Sequence, residues 1–210
     1  MAINTLPWPR QELIDTSETE AVIASGKGLA LGVEAFDTTS DESKIVTVKE
    51  LSPGVFQLQN NHLTVKIESG CITSVYDRRA KRETVCGKAN QFVIFDDKPV
   101  YWQAWDVEVY HLETREALPN SDTRILEDKG FRASIVTTTR VSARSSIKTT
   151  ISLSASLNDD LSMIECVADI EWHETMKFLK VEFPVRVVNT EASYETQYGI
   201  IKRPTHYNTS

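Results

Sequence analysis

Along most of the chain, apolar and polar residues alternate with period two. Leu63, Val65 and Ile67 share one face of a strand, Ser69-Gly70 closes it, and Cys71–Asp77 returns as the second arm of a tight hairpin. Ser52-Pro53-Gly54 is an earlier turn signal, at the end of a strand over Lys44–Leu51. Phe92–Phe95 is a short apolar run stopped by Asp96-Asp97-Lys98-Pro99. Further strands are predicted over Tyr101–Leu112, Phe131–Val141, Ser146–Leu157 and Met163–Trp172. In the third of these Ile147, Ile151, Leu153 and Ala155 fall on one side; in the fourth Ile164, Cys166, Ala168, Ile170 and Trp172 do so. Leu179–Val188 is also strand-like, and Pro184 within it marks an edge or a bulge. The stretch Thr16–Ser43, with Gly26, Gly28 and Gly32, reads as an irregular connector. No helical period persists beyond about ten residues.

Burial of one face only belongs to antiparallel sheets. The expected fold is therefore all-β, a large antiparallel β-sandwich. Composition agrees: Val, Ile and Thr make up 55 of the 210 residues, a density of β-branched side chains that favours strands. A net charge of −7 disfavours nucleic acid, whose phosphates need a positive face, and disfavours an anionic membrane surface. No run approaches the roughly 20 apolar residues of a membrane helix. Met1–Arg10 lacks the apolar core of a secretory signal, and Tyr207–Ser210 ends the chain so abruptly that a piece of a longer protein is expected. Cys71, Cys86 and Cys166 have no metal-ligand spacing, nor do His62, His111, His173 and His206. Asn208-Thr209-Ser210 spells a glycosylation sequon, which carries little meaning without a signal.

Candidate chemistry concentrates in Tyr101–His111. Read as a strand, it turns Trp105, Val107 and Val109 inward, and Trp102, Ala104, Asp106, Glu108 and Tyr110 to the other face. Two rings and two carboxylates on one face suit a sugar, with a ring stacked on the pyranose and carboxylates taking its hydroxyls. An amphipathic face covered by a neighbouring domain explains the same pattern. Asp106 and Glu108 would stand roughly 6.7 Å apart, but neighbours on one strand do not flank a scissile bond from opposite sides as a glycosidase pair must. Arg203 and His206, in the polar and aromatic run Tyr194–His206, are further candidate hydroxyl donors.

Six segments in order carry a family resemblance. They are Asn4–Arg10, Ile72–Asp77, Asn90-Gln91-Phe92, Trp102–Tyr110, Trp172-His173-Glu174 and Tyr194–Ser210. Together they resemble the β-rich C-terminal half of glycoside hydrolase family 38 α-mannosidases, cytosolic or vacuolar branch. The resemblance implies a retaining, zinc-dependent enzyme that removes α-linked mannose from oligosaccharides. It also implies that the nucleophile and zinc ligands lie on an N-terminal α/β-barrel and adjoining helices of the same polypeptide, so that this part binds no metal and is inactive alone. The implied architecture is a small β domain over residues 1–49, then a galactose-mutarotase-like supersandwich over 50–210, incomplete at its C-terminus. Trp102 and Asp106, with Trp105 and more distantly Arg203 and His206, would contact substrate from the sandwich side. A free-standing carbohydrate-binding or scaffolding sandwich without activity is the competing expectation. An aldose-mutarotase-like epimerase would need His173 and Glu174 to converge, which sequence neighbours on a strand do not.

Overall fold

The computed structural model describes residues 4–17, 20–26, 35–37, 44–103, 105–157 and 162–206. Three strands come first: β1 (Arg10–Ser17), β2 (Glu20–Gly26) and β3 (Ala35–Asp37), which pair in that order. Next are β4 (Val46–Ser52), β5 (Val55–Gln59), β6 (Leu63–Glu68), β7 (Cys71–Asp77), β8 (Arg82–Glu83) and β9 (Gln91–Asp96). After a long segment come β10 (Glu116–Ala117), β11 (Asn120–Glu127), β12 (Lys129–Gly130), β13 (Arg132–Arg140) and β14 (Ser146–Ser154). The last four are β15 (Ile164–Glu171), β16 (Lys177–Glu182), β17 (Glu191–Thr196) and β18 (Gly199–Pro204). Every described strand pairing is antiparallel. The all-β expectation holds.

A six-stranded sheet, β12-β4-β5-β6-β7-β8, packs on a four-stranded sheet, β11-β13-β14-β15. Their shared core is what period-two patterning demands. Val46, Phe56, Leu58, Val65, Ile67 and Val75 from one sheet meet Ala133, Ile135, Ile151 and Leu153 from the other. The β6–β7 hairpin forms as expected. Ser69 and Gly70 both have positive φ (48° and 76°), the type I′ conformation that matches strand twist. A side chain at Gly70 would also have its Cβ 2.8 Å from the Cβ of Asn120.

Three expectations change. Within Thr16–Ser43 two further strands form, because β1 offers β2 an antiparallel neighbour from Arg10↔Gly26 to Ser17↔Glu20. Ile23 of β2 enters the main core and Leu13 of β1 packs on it. The rest of that stretch, and the sequon, lie partly or wholly outside the described residues. On β15, Ile164 and Cys166 pack inward but Ile170 is half exposed, since β15 is the open edge of its sheet. The strand over Leu179–Val188 is cut short: β16 ends at Glu182, before Pro184, and is an edge strand.

The third sheet, β10-β9-β16, carries the candidate site. β9 is its central strand and is buried on both faces from Gln91 to Phe95. Phe92 and Ile94 form a second core with Leu118 and Ile147, and Trp172 and Leu179 pack against it. Ile147 belongs to β14, so this cluster fixes the small sheet to one end of the sandwich.

Candidate functional site

The chain leaves β9 at Asp96 and does not rejoin the sheet until β10, at Glu116. Asp96 anchors the exit. Its carboxylate takes Lys177 Nζ and Lys98 Nζ at 2.6 Å each, and those bonds hold its pKa down to about 2. The segment that follows departs from the expected strand Tyr101–Leu112. Trp102 adopts a left-handed backbone (φ 60°), and its carbonyl accepts from the main-chain N–H of both Trp105 (2.9 Å) and Asp106 (3.1 Å). Asp106 Oδ1 accepts from Val107 N at 2.9 Å. Val109–Thr114 then winds into a 3₁₀ helix.

The reason is topological. β10 and β16 already occupy both edges of β9, so the departing chain finds no ladder on that sheet and satisfies its amides within a turn. The inward face assigned to Trp105, Val107 and Val109 is accordingly corrected: Trp105 is 88% exposed, and Val107 and Val109 lie largely in solvent. Trp102 is 75% exposed. The shared strand face of Asp106 and Glu108 lapses with the strand, and Ala104 lies outside the described residues.

The turn brings Trp102, Trp105 and Asp106 together within one backbone loop. Arg203 and His206 stand elsewhere. Arg203 is on β18, opposite Ala192 of β17, and His206 lies just beyond that hairpin; both are exposed. His173 and Glu174 diverge. His173 Nε2 faces Glu171 Oε1 at 3.2 Å, while Glu174 Oε1 accepts from Ser142 and Ser145 hydroxyls at 2.6 Å each, which lowers its pKa.

Sequence reasoning missed how the segment is attached. Thr114 Oγ1 accepts from Asp96 N and donates to the His111 carbonyl, both at 2.8 Å. Arg115 makes a fork to both carboxylate oxygens of Glu182, at 3.0 and 2.6 Å. The His111 ring packs edge-on against Phe95 and Phe178. Apart from the local Thr114–His111 bond, these partners are 16 to 67 residues apart along the chain, and no local spacing announces them.

The described residues do not fit a zinc ion. Among them no three His, Cys, Asp or Glu side chains gather as a ligand set, and His111 is committed on both ring nitrogens, to the Glu108 carbonyl and to Lys180. Among the described residues no helix is long and apolar enough to cross a membrane.

Comparison with known proteins accords with this layout. The model of the glycosyl hydrolases family 38 C-terminal domain matches residues 58–210. Alpha-mannosidase 2C1 of Mus musculus and of Homo sapiens are each 34% identical to the chain over its whole length. An alpha-mannosidase of Saccharomyces cerevisiae is 42% identical over 166 residues, 73% of the chain. The chain spans about a fifth of the length of the first two relatives (21%) and 15% of the yeast one.

Proposed function

The chain belongs to glycosyl hydrolase family 38, and from that premise we propose that it is the non-catalytic β-sandwich portion of an α-mannosidase that hydrolyses α-linked mannose from oligosaccharides. The observation that carries the reading is the family match over residues 58–210, in a chain one fifth as long as its mannosidase relatives. A retaining reaction needs a carboxylate nucleophile and an acid on opposite sides of the glycosidic bond, about 5–5.5 Å apart. Both would come from a catalytic barrel N-terminal to this portion in the same polypeptide, as would the ligands of a zinc ion in the intact enzyme. The domains would divide as a small β unit over 1–49 and a mutarotase-like supersandwich over 50–210. The intact enzyme would be cytoplasmic or vacuolar.

The contribution of this chain would be to orient the sugar and exclude water. Trp102 and Asp106 suit that role. An exposed indole can stack on the apolar face of a pyranose, and a carboxylate beside it can accept from ring hydroxyls. Trp105 shares the loop and is the third contact; Arg203 and His206 would reach substrate only where the β17–β18 hairpin adjoins the barrel.

Two measurements test the reading. The purified 210-residue chain, with zinc added, should release no nitrophenol from an aryl α-mannoside; release would overturn the assignment of catalysis to residues outside it. In the longer polypeptide, Trp102→Ala should raise KM for an α-mannoside about two- to tenfold with a smaller change in kcat, as loss of one aromatic contact of about 0.5–1.5 kcal/mol requires. An unchanged KM would remove Trp102 from the substrate wall.

A further inference from the structure

We infer that His111 is a pH-sensitive latch: while its ring is neutral it seats the segment bearing Trp102 and Asp106 on the β9–β16 sheet, and on protonation that seat loosens. Both neighbours of the ring dictate its neutral form. Nδ1 lies 2.7 Å from the main-chain carbonyl of Glu108, which only accepts, so Nδ1 carries the proton. Nε2 lies 3.2 Å from Lys180 Nζ, an ammonium that only donates, so Nε2 is bare. Lys180 in turn sits over the rings of Phe178 (4.8 Å) and Phe95 (5.2 Å). The same two phenyl rings pack edge-on against the imidazole, Phe95 at 5.0 Å and Phe178 at 5.5 Å.

A second proton destroys this arrangement. Protonated histidine has no acceptor, so the bond from Lys180 is lost and two positive charges face each other at the same spacing. Two of the acidic neighbours are engaged elsewhere. On β9, Asp96 takes Lys98 and Lys177. On β16, Glu182 takes Arg115 and also feels the charge of Lys180. On the segment itself, Glu108 meets the ring through its main chain, and Glu113 and Tyr110 share the 3₁₀ helix. A cavity of about 130 Å³, lined among others by Asp96, Asp97, Lys98, Glu108 and Tyr110, reaches His111. His111 is thus a positioning residue for Trp102 and Asp106, and its importance to a substrate wall rests on the function proposed above. The latch itself does not.

The test uses the 210-residue chain with all four tryptophans replaced by 5-fluorotryptophan, no sugar present, followed by fluorine NMR from pH 7.5 to 5.0. Trp102 and Trp105 report on the segment, and Trp8, on the N-terminal side of β1, is the internal control. The Trp102 and Trp105 signals should change line width at least twofold in a single transition, with Trp8 unmoved. His111→Gln keeps an acceptor that does not titrate and should abolish the transition. Lys180→Met removes the opposing charge and should cut its amplitude by at least half. A flat wild type overturns the latch, as does a full transition in either variant. If His111→Gln does not fold, Lys180→Met decides alone. Failure here leaves the Trp102→Ala result on mannoside KM untouched, and the reverse holds too.

Discussion

Glu127 offers a stringent trial of how the sandwich holds its first sheet. Its side chain, 3% exposed on β11, accepts from Nε and Nη2 of Arg132 at 2.8 Å each and from the hydroxyl of Ser134. Arg132, 15% exposed, turns its remaining nitrogen to Asp15 on β1 at 2.5 Å, and Asp15 is 63% exposed. Together the two carboxylates hold the Arg132 pKa above its ordinary value, with Glu127 the larger cause. Glu127→Ala leaves a mostly buried guanidinium with one solvent-screened partner, at a cost of about 3–5 kcal/mol. Asp15→Ala removes only the exposed partner and should cost at most about 1 kcal/mol. For a fold stable by about 5–15 kcal/mol, the first loss is about a fifth or more. Urea unfolding followed by far-ultraviolet circular dichroism should show the midpoint falling by about 1–3 M for Glu127→Ala, with m unchanged. The double variant Glu127→Leu/Arg132→Met, which removes both charges, should recover most of that loss. A Glu127→Ala midpoint within error of Asp15→Ala, or a double variant no better than the worse single one, would refute the reasoning.

Gly70→Ala should destabilise by about 2 kcal/mol or more on the same assay, since it combines a left-handed backbone with a Cβ driven against Asn120 and Thr137; a shift below about 0.5 kcal/mol would mean the β6–β7 turn relaxes freely. Asp96 titrates near 2 when folded, below the roughly 3.9 of an unfolded aspartate. Its ion pairs therefore stabilise fully above about pH 4, and the contribution is lost as pH falls towards 2. Thermal midpoints of Asp96→Asn should depend less steeply on pH across that window than those of the wild type, and equal slopes would contradict the pairing with Lys98 and Lys177.

Strands that alternate strictly were legible from the sequence because burial on one face writes itself into every second residue. Val65, Ile67, Ile147, Ile151 and Leu153 all proved fully buried where alternation put them. The Trp102–Tyr110 segment alternates just as well and is not a strand. Its pattern is that of a half-buried strand, yet a strand also needs a neighbour, and β9 has none to give. The Tyr101–His111 cluster itself was visible as a density of rings and carboxylates. That the chain there turns at Trp102 and is pinned by His111 was not, for Lys180 lies 69 residues away.

By itself, then, the sequence determined the all-β class, the hairpin at Ser69-Gly70, the inward residues of the main sandwich and the family to which the chain belongs. These depend on local period, turn chemistry and motif order, all of which are written along the chain. Tertiary structure alone decided that β1 and β2 pair, that β9 is closed on both edges, and that the aromatic-acidic segment is thrown outward on a histidine seat. Those outcomes depend on which strand edges remain open and which distant side chains meet, and neither is a property of any short stretch of residues.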